Sequence, residues 1–154
     1  MFMLGECYMH EMANEHTYEH AVYWYQYALD HGNTHPYYPL GIAYQFGYGV
    51  EMDLKRAEEL FEEGTKHPID RDNCYCKLGN LCYERKEYEK AKEYYGKAST
   101  LNNARALLNM AIGHFNKDIR IDRGLAVCCL AKAAALGNAR AKALYTNLKK
   151  DGLL

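Results

Sequence analysis

Small and bulky residues recur along the chain with two nested spacings. Leu4-Gly5, Leu40-Gly41 and Leu78-Gly79 stand 36 and 38 residues apart, and three residues after each glycine comes Tyr8, Tyr44 or Cys82. Downstream, Ala21, Ala57, Ala91 and Ala126 follow one another at 36, 34 and 35 residues. Three and four residues after each alanine stands a bulky pair (Trp24-Tyr25, Leu60-Phe61, Tyr94-Tyr95, Cys129-Leu130), and seven after it a small residue (Ala28, Gly64, Ala98, Ala133). Offsets of three, four and seven lie on one face of a helix. The pattern therefore predicts a repeated pair: helix A carrying Leu-Gly, then helix B carrying the alanine, whose bulky residues fill the groove that the small ones open.

Helices are expected near 1–13, 18–31, 38–47, 54–66, 73–84, 88–100, 104–115, 122–136 and 139–150. Neither helix of a pair can bury its face alone, so the pairs must stack. The expected architecture is all-α: an α-solenoid in one repeat domain over 1–154, with repeats at about 1–35, 36–72, 73–103 and 104–138 and a C-terminal capping helix at 139–150. The turns differ in length. Repeat two connects its helices through Gly47-Tyr48-Gly49-Val50 to Asp53, with glycines suited to positive φ and an aspartate to cap the next helix. In repeat three Glu84-Arg85-Lys86-Glu87 takes that place, and the glycine-to-alanine distance falls from 16 residues to 12.

Composition narrows the function classes. Lys and Arg (19) nearly balance Asp and Glu (20), which disfavours nucleic acid and anionic membranes as partners. No apolar run reaches the length of a membrane span, and the start MFMLGECYMH lacks the form of a secretion signal, so a cytoplasmic chain is expected if Met1 is the natural start. The six cysteines are Cys7, Cys74, Cys76, Cys82, Cys128 and Cys129. Cys82 and Cys129 occupy core slots, and Cys74 and Cys76, two apart on a helix, cannot chelate one metal. Buried free thiols are expected.

Two stretches suggest chemistry. His16-Thr17-Tyr18-Glu19-His20 fits the zinc-protease pattern H-x-x-E-H. In phase with the other repeats, however, Thr17 aligns with Asp53 and Asp122, so it should cap helix B and leave His16 outside the helix. Gly47-x-Gly49 lacks the strand, third glycine and lysine of a nucleotide loop. No catalytic residues, cofactor or metal site are expected.

Gly47-Tyr48-Gly49-Val50 with Asp53 and Ala57 resembles the Sel1-like repeat, as does the stretch from Ala126 to Ala139. Leu78-Gly79-Asn80 through Tyr88-Glu89-Lys90-Ala91, with Tyr95 and Ala98, resembles the related tetratricopeptide repeat. Repeat four departs from the pattern, with Asn109-Met110 in place of Leu-Gly and Gly113 in place of the tyrosine. The resemblance implies a scaffold or adaptor that binds a protein or peptide on the concave helix-A face. A non-catalytic subunit of an enzyme complex is the alternative, and a metal-dependent hydrolase a distant one.

Around the Leu-Gly marks, the expected partner-binding residues are Glu6, Met9, Tyr38, Ile42, Gln45, Asn73, Lys77, Asn80, Tyr83, Leu107, Ala111 and His114. Some tetratricopeptide domains clamp a C-terminal carboxylate with an asparagine at the position of Asn80, but Cys76 and Leu108 stand where polar partners would be needed. Phe2 and Met3 give the N-terminal end no polar cap. A homodimer or a longer array through that end is therefore expected.

Overall fold

The computed structural model describes residues 15–152, and among them every regular element is a helix. There are eight: α1 (Glu15–Asp30), α2 (Tyr37–Phe46), α3 (Leu54–Gly64), α4 (Arg71–Glu84), α5 (Tyr88–Thr100), α6 (Ala104–Phe115), α7 (Arg123–Ala135) and α8 (Ala139–Lys150). The helix expected at 1–13 lies outside the described residues.

Side-chain capping explains where four of the eight helices start. Asp53, Asn103, Asp122 and Asn138 each accept a hydrogen bond from the backbone N–H three residues on, at 2.9–3.2 Å. Six of the eight helices stop by a common device, a residue of positive φ: Gly32, Gly47, Lys86, Asn102, Lys117 or Gly137. The N–H of the following residue then donates to a carbonyl five residues back, for example Tyr48 to Ala43 and Asp118 to Gly113, both at 2.9 Å.

The chain divides into two compact units, Met1–Cys74 and Tyr75–Leu154. In unit 1 the buried cluster holds Ala21, Tyr25, Leu40 and Leu60. In unit 2 a larger cluster holds Ala91, Tyr95, Ala98, Leu107, Met110, Ala111, Cys129, Leu130 and Ala133 among others. The repeat marks thus supply the core of both units. Their small residues set helix separation directly: a Cβ added at Gly41 would lie 2.5 Å from the Phe61 ring, and one at Gly79 2.6 Å from the Tyr95 ring. At Gly64 the added atom would lie 2.5 Å from the Cys74 sulfur, so the small residue seven after the alanine admits the next helix.

The long connection of unit 1 is itself packed. Gly49 has φ +69°, and a Cβ there would fall 2.2 Å from the backbone carbonyl carbon of Tyr18. Tyr48 stacks on Tyr18 at 5.2 Å and on Phe46 at 5.6 Å. The connection therefore lies on the first turns of α1.

Two expectations need correction. Helix α1 already includes Glu15 and His16, so Thr17 lies inside it and is not its N-cap. Alignment with Asp53 suggested a helix start, but Glu15 and His16 do not interrupt a helix, and threonine caps less well than aspartate. His16 and His20 are consequently one turn apart on the same helix.

The second correction concerns the register of repeat four. The left-handed residue comes six residues after Gly41 in repeat two (Gly47) and seven after Gly79 in repeat three (Lys86), so Lys117 fits a small slot at Ala111 or at Met110, and burial decides between them. Ala111 is fully buried, as the small slot demands, whereas Met110 keeps a little exposure. Met110-Ala111, one residue later than Asn109-Met110, holds the Leu-Gly position.

Cys74, Cys76, Cys82, Cys128 and Cys129 are free thiols, all buried except Cys128, which is exposed. Burial, with Asp70 and Asp72 adding to it, pushes the Cys74 thiol up to about 12.

Candidate functional site

The most structured polar group on the helix-A face lies in unit 2, and Gly79 is its origin. Because that residue has no side chain, the Tyr95 ring from α5 lies against the α4 backbone, and its hydroxyl donates to Asn80 Oδ1 at 2.9 Å. Asn109 Nδ2, from α6, donates to the same oxygen at 2.8 Å. One side-chain carbonyl thus joins three helices, and both of its lone-pair directions are used. What Asn80 retains for a ligand is its amide N–H pair. Burial is the main reason that the Tyr95 hydroxyl titrates well above the usual tyrosine range. It stays protonated and a donor.

Beside this group opens a recess of about 180 Å³ lined by Asn80, Tyr83, Glu84, Tyr95, Asn109 and Ile112. Tyr83 closes one side. Its hydroxyl donates to Asp118 and accepts from Asn116 Nδ2 at 3.4 Å, and its ring meets Tyr88 edge-on at 5.3 Å. Burial, reinforced by the hydrogen bond to Asp118, raises its pKa. The recess offers amide donors, a carboxylate at Glu84 and an apolar wall at Ile112. That set suits a polar main chain with an adjoining apolar side chain better than it suits bond-breaking chemistry.

Ile112 also borders a second, larger groove of about 420 Å³ between α6 and α8, where Phe115, Leu144 and Leu148 supply apolar wall and Arg140 and Asn147 polar edges.

The structure distributes the twelve sequence-derived candidates unevenly. Glu6 and Met9 lie outside the described residues. Tyr38 and Ile42 are half-buried on α2, with the Tyr38 ring 6.1 Å from that of Phe61. Gln45 is buried. Asn73 is half-buried and donates to Asp70 Oδ1 at 2.9 Å. Lys77 is half-buried, and that burial lowers its pKa. His114 sits edge-on to Phe115 at 5.5 Å. Of the twelve, Asn80 and Tyr83 meet in the recess.

Leu107 and Ala111 belong to the core cluster of unit 2 and present no surface to a partner. Their selection followed from the one-residue register error in repeat four. With the register set by Ala111, the residue after the small slot is Ile112, the counterpart of Asn80 after Gly79, and both line the recess. Asn109 and Glu84 were missed as well. The available signal for Asn109 was its polarity beside the apolar Leu107 and Leu108.

Of the H-x-x-E-H stretch, the side chain of His16 lies outside the described residues. Among the described residues no group of three or more His, Cys, Asp or Glu side chains is gathered as a metal ion requires, and His20 is exposed. None of the described helices is long and apolar enough to cross a membrane.

Solved structures carry the same arrangement of helices. The chain is similar to the Sel1 repeat protein from Oxalobacter formigenes, with a TM-score of 0.78 and 22% identity over 96% of this chain and 61% of that one. It is also similar to c5321, a protective antigen present in uropathogenic Escherichia coli strains displaying an SLR fold, with a TM-score of 0.81 and 23% identity over 95% of this chain and 32% of that one. The chain has the Sel1-like repeat fold. It spans less than two thirds of either protein. No protein-family model matches the sequence, and no curated protein matches it significantly. Within the Sel1-like fold the Leu-Gly positions of this chain are the points where a helix-B ring enters helix A, and the Asn80 group is built on one of them.

Proposed function

We propose that this Sel1-like chain is a non-catalytic scaffold that holds a protein segment against the helix-A face of unit 2, with the Asn80 recess as its anchor. The observation that supports this reading is the fixed orientation of Asn80. Tyr95 and Asn109 hold its carbonyl, so its amide donors meet a peptide carbonyl without further loss of side-chain freedom. Ile112 beside it accepts an apolar side chain of the same segment. The fold agrees with the proposal, since stacked helix pairs present extended surfaces for partners.

The test is affinity capture from the source cells with the wild-type chain and with a Glu84→Lys/Ile112→Asp variant, followed by mass spectrometry. Both positions border the recess, Glu84 exposed and Ile112 half-buried, and circular dichroism checks that the variant keeps its helices. Loss of specific proteins from the variant capture is the expected result. An identical set from a folded variant would refute the assignment of the binding face.

A further inference from the structure

The near-balance of charge over the whole chain conceals a strong separation. Unit 1 has 13 Asp and Glu against 4 Lys and Arg, a net charge of −9, and no Lys or Arg occurs before Lys55. Unit 2 has 7 Asp and Glu against 15 Lys and Arg, a net charge of +8. Each unit also leaves apolar surface uncovered. In unit 1, Phe46, Tyr48, Met52 and Leu54 are exposed around the connection between α2 and α3, Met52 at 63%, with Glu51 and Asp53 exposed between them, exposed Lys55 and Arg56 next in sequence, and Glu58, Glu59, Glu62 and Glu63 along the rest of α3. In unit 2 the groove between α6 and α8 has walls of Ile112, Phe115, Leu144 and Leu148. Arg140 lines it, and two exposed lysines adjoin its lining residues in sequence, Lys117 after Asn116 and Lys149 after Leu148. The nearby acids in sequence are Asp118, half-buried and bonded to the Tyr83 hydroxyl, and exposed Asp151 just past α8.

We infer that the α6–α8 groove of one copy receives the apolar patch at Phe46–Leu54 on the acidic unit 1 of a second copy, so that the chain self-associates head to tail. The second copy is favoured over an unrelated partner because it carries both required features, apolar side chains of the right exposure and charge of opposite sign. Charge complementarity of this kind guides encounter and fixes register, and the apolar contact supplies the attraction that persists at short range. The two surfaces are different patches, so the contact is heterologous and does not close at two copies unless the geometry forms a ring. This interface uses surfaces apart from the Asn80 anchor and does not depend on the scaffold reading.

Sedimentation equilibrium of the full chain tests the inference. At about 0.05 M salt the average mass should rise with concentration beyond twice the 17.8 kDa protomer, and at about 0.5 M salt it should fall back towards the protomer. Arg140→Glu and Glu51→Lys, both at exposed positions, should each weaken association by about tenfold or more. An equimolar mixture of the two variants should regain it, because the reversed charge in the groove of one then faces the reversed charge on the patch of the other. A protein that stays monomeric at millimolar concentration in low salt overturns the inference. So does association insensitive to salt and to both substitutions, or a mixture no better than its components. Retention of an RNA or DNA oligonucleotide by a chain that does not self-associate assigns the basic groove to nucleic acid instead, and also overturns it.

Discussion

Units 1 and 2 perform the same packing operation with one oxygen atom of difference. In unit 1 the Phe61 ring enters α2 at Gly41; in unit 2 the Tyr95 ring enters α4 at Gly79, at nearly the same separation. The apolar part of the operation builds core in both. Of these two rings only Tyr95 carries a hydroxyl, and there Asn80 and Asn109 gather around it. A packing position common to these repeats thus gains a polar junction by a single-atom change, supported by two amides from neighbouring helices. The lesson is that a repeat's core mark and a polar junction between helices can share one residue.

Filling the glycine should break the operation in both units. Gly41→Ala and Gly79→Ala put a methyl group about an ångström inside ring contact distance, and each should destabilise by about 3 kcal/mol in urea unfolding, as overpacked cores do. A loss below about 0.5 kcal/mol at either position would show that the rings can retreat.

Exchanging the rings sharpens the comparison. Tyr95→Phe should cost about 1 kcal/mol, because Asn80 loses one donor and keeps Asn109. Phe61→Tyr places a hydroxyl beside half-buried Ile42, which follows Gly41 as Asn80 follows Gly79, and should also destabilise, by about 1 kcal/mol. Should Phe61→Tyr instead stabilise unit 1, the polar support would not be peculiar to unit 2.

The turns differ between the units in a way that predicts a gain. Gly47 and Lys117 take the same left-handed conformation at equivalent positions, φ +73° and +66°. A side chain costs about 1 kcal/mol there that glycine does not. Lys117→Gly should therefore stabilise by somewhat less than that, and thermal melts would read the sign.

Among the described cysteines, Cys74 of unit 1 and Cys128 of unit 2 mark the extremes of thiol environment. At neutral pH an alkylating reagent should label Cys128 in the native state and Cys74 only on unfolding, as peptide mass mapping would report. The folded-state pKa of Cys74 is raised, so its contribution to stability is fully present below the ordinary thiol value of 9.0 and is lost as pH climbs to about 12. Cys74→Ala should flatten the alkaline limb of the stability profile over that interval.

Much of the helical order was legible because it rests on intervals. The small residue, the alanine and the ring recur at spacings that only stacked helix pairs explain, and Gly41, Gly79, Phe61 and Tyr95 meet as those spacings require. The places that escaped were those where one residue type stands in for another. Ala111 does glycine's work in repeat four, and without the Leu-Gly spelling the register slipped by one, carrying Leu107 and Ala111 onto the wrong face. Thr17 was given a capping role by alignment, although capping depends on whether the chain before it leaves the helix. The recess escaped for another reason: Asn80 and Asn109 are 29 residues apart, and nothing local in the sequence shows that one accepts from the other. The charge separation was readable throughout but vanished in the whole-chain sum.

The close seat of Gly49 on α1 makes the Gly47–Asp53 connection a gauge of chain length. Loops on protein surfaces ordinarily tolerate an added or missing residue at small cost. Here an insertion would drive a side chain or a displaced peptide into the Tyr18 backbone, whereas the turn from Glu84 to Glu87 contains no glycine seated on another helix. Length variation among natural repeats of this kind should therefore accumulate in turns like the second and be purged from those like the first.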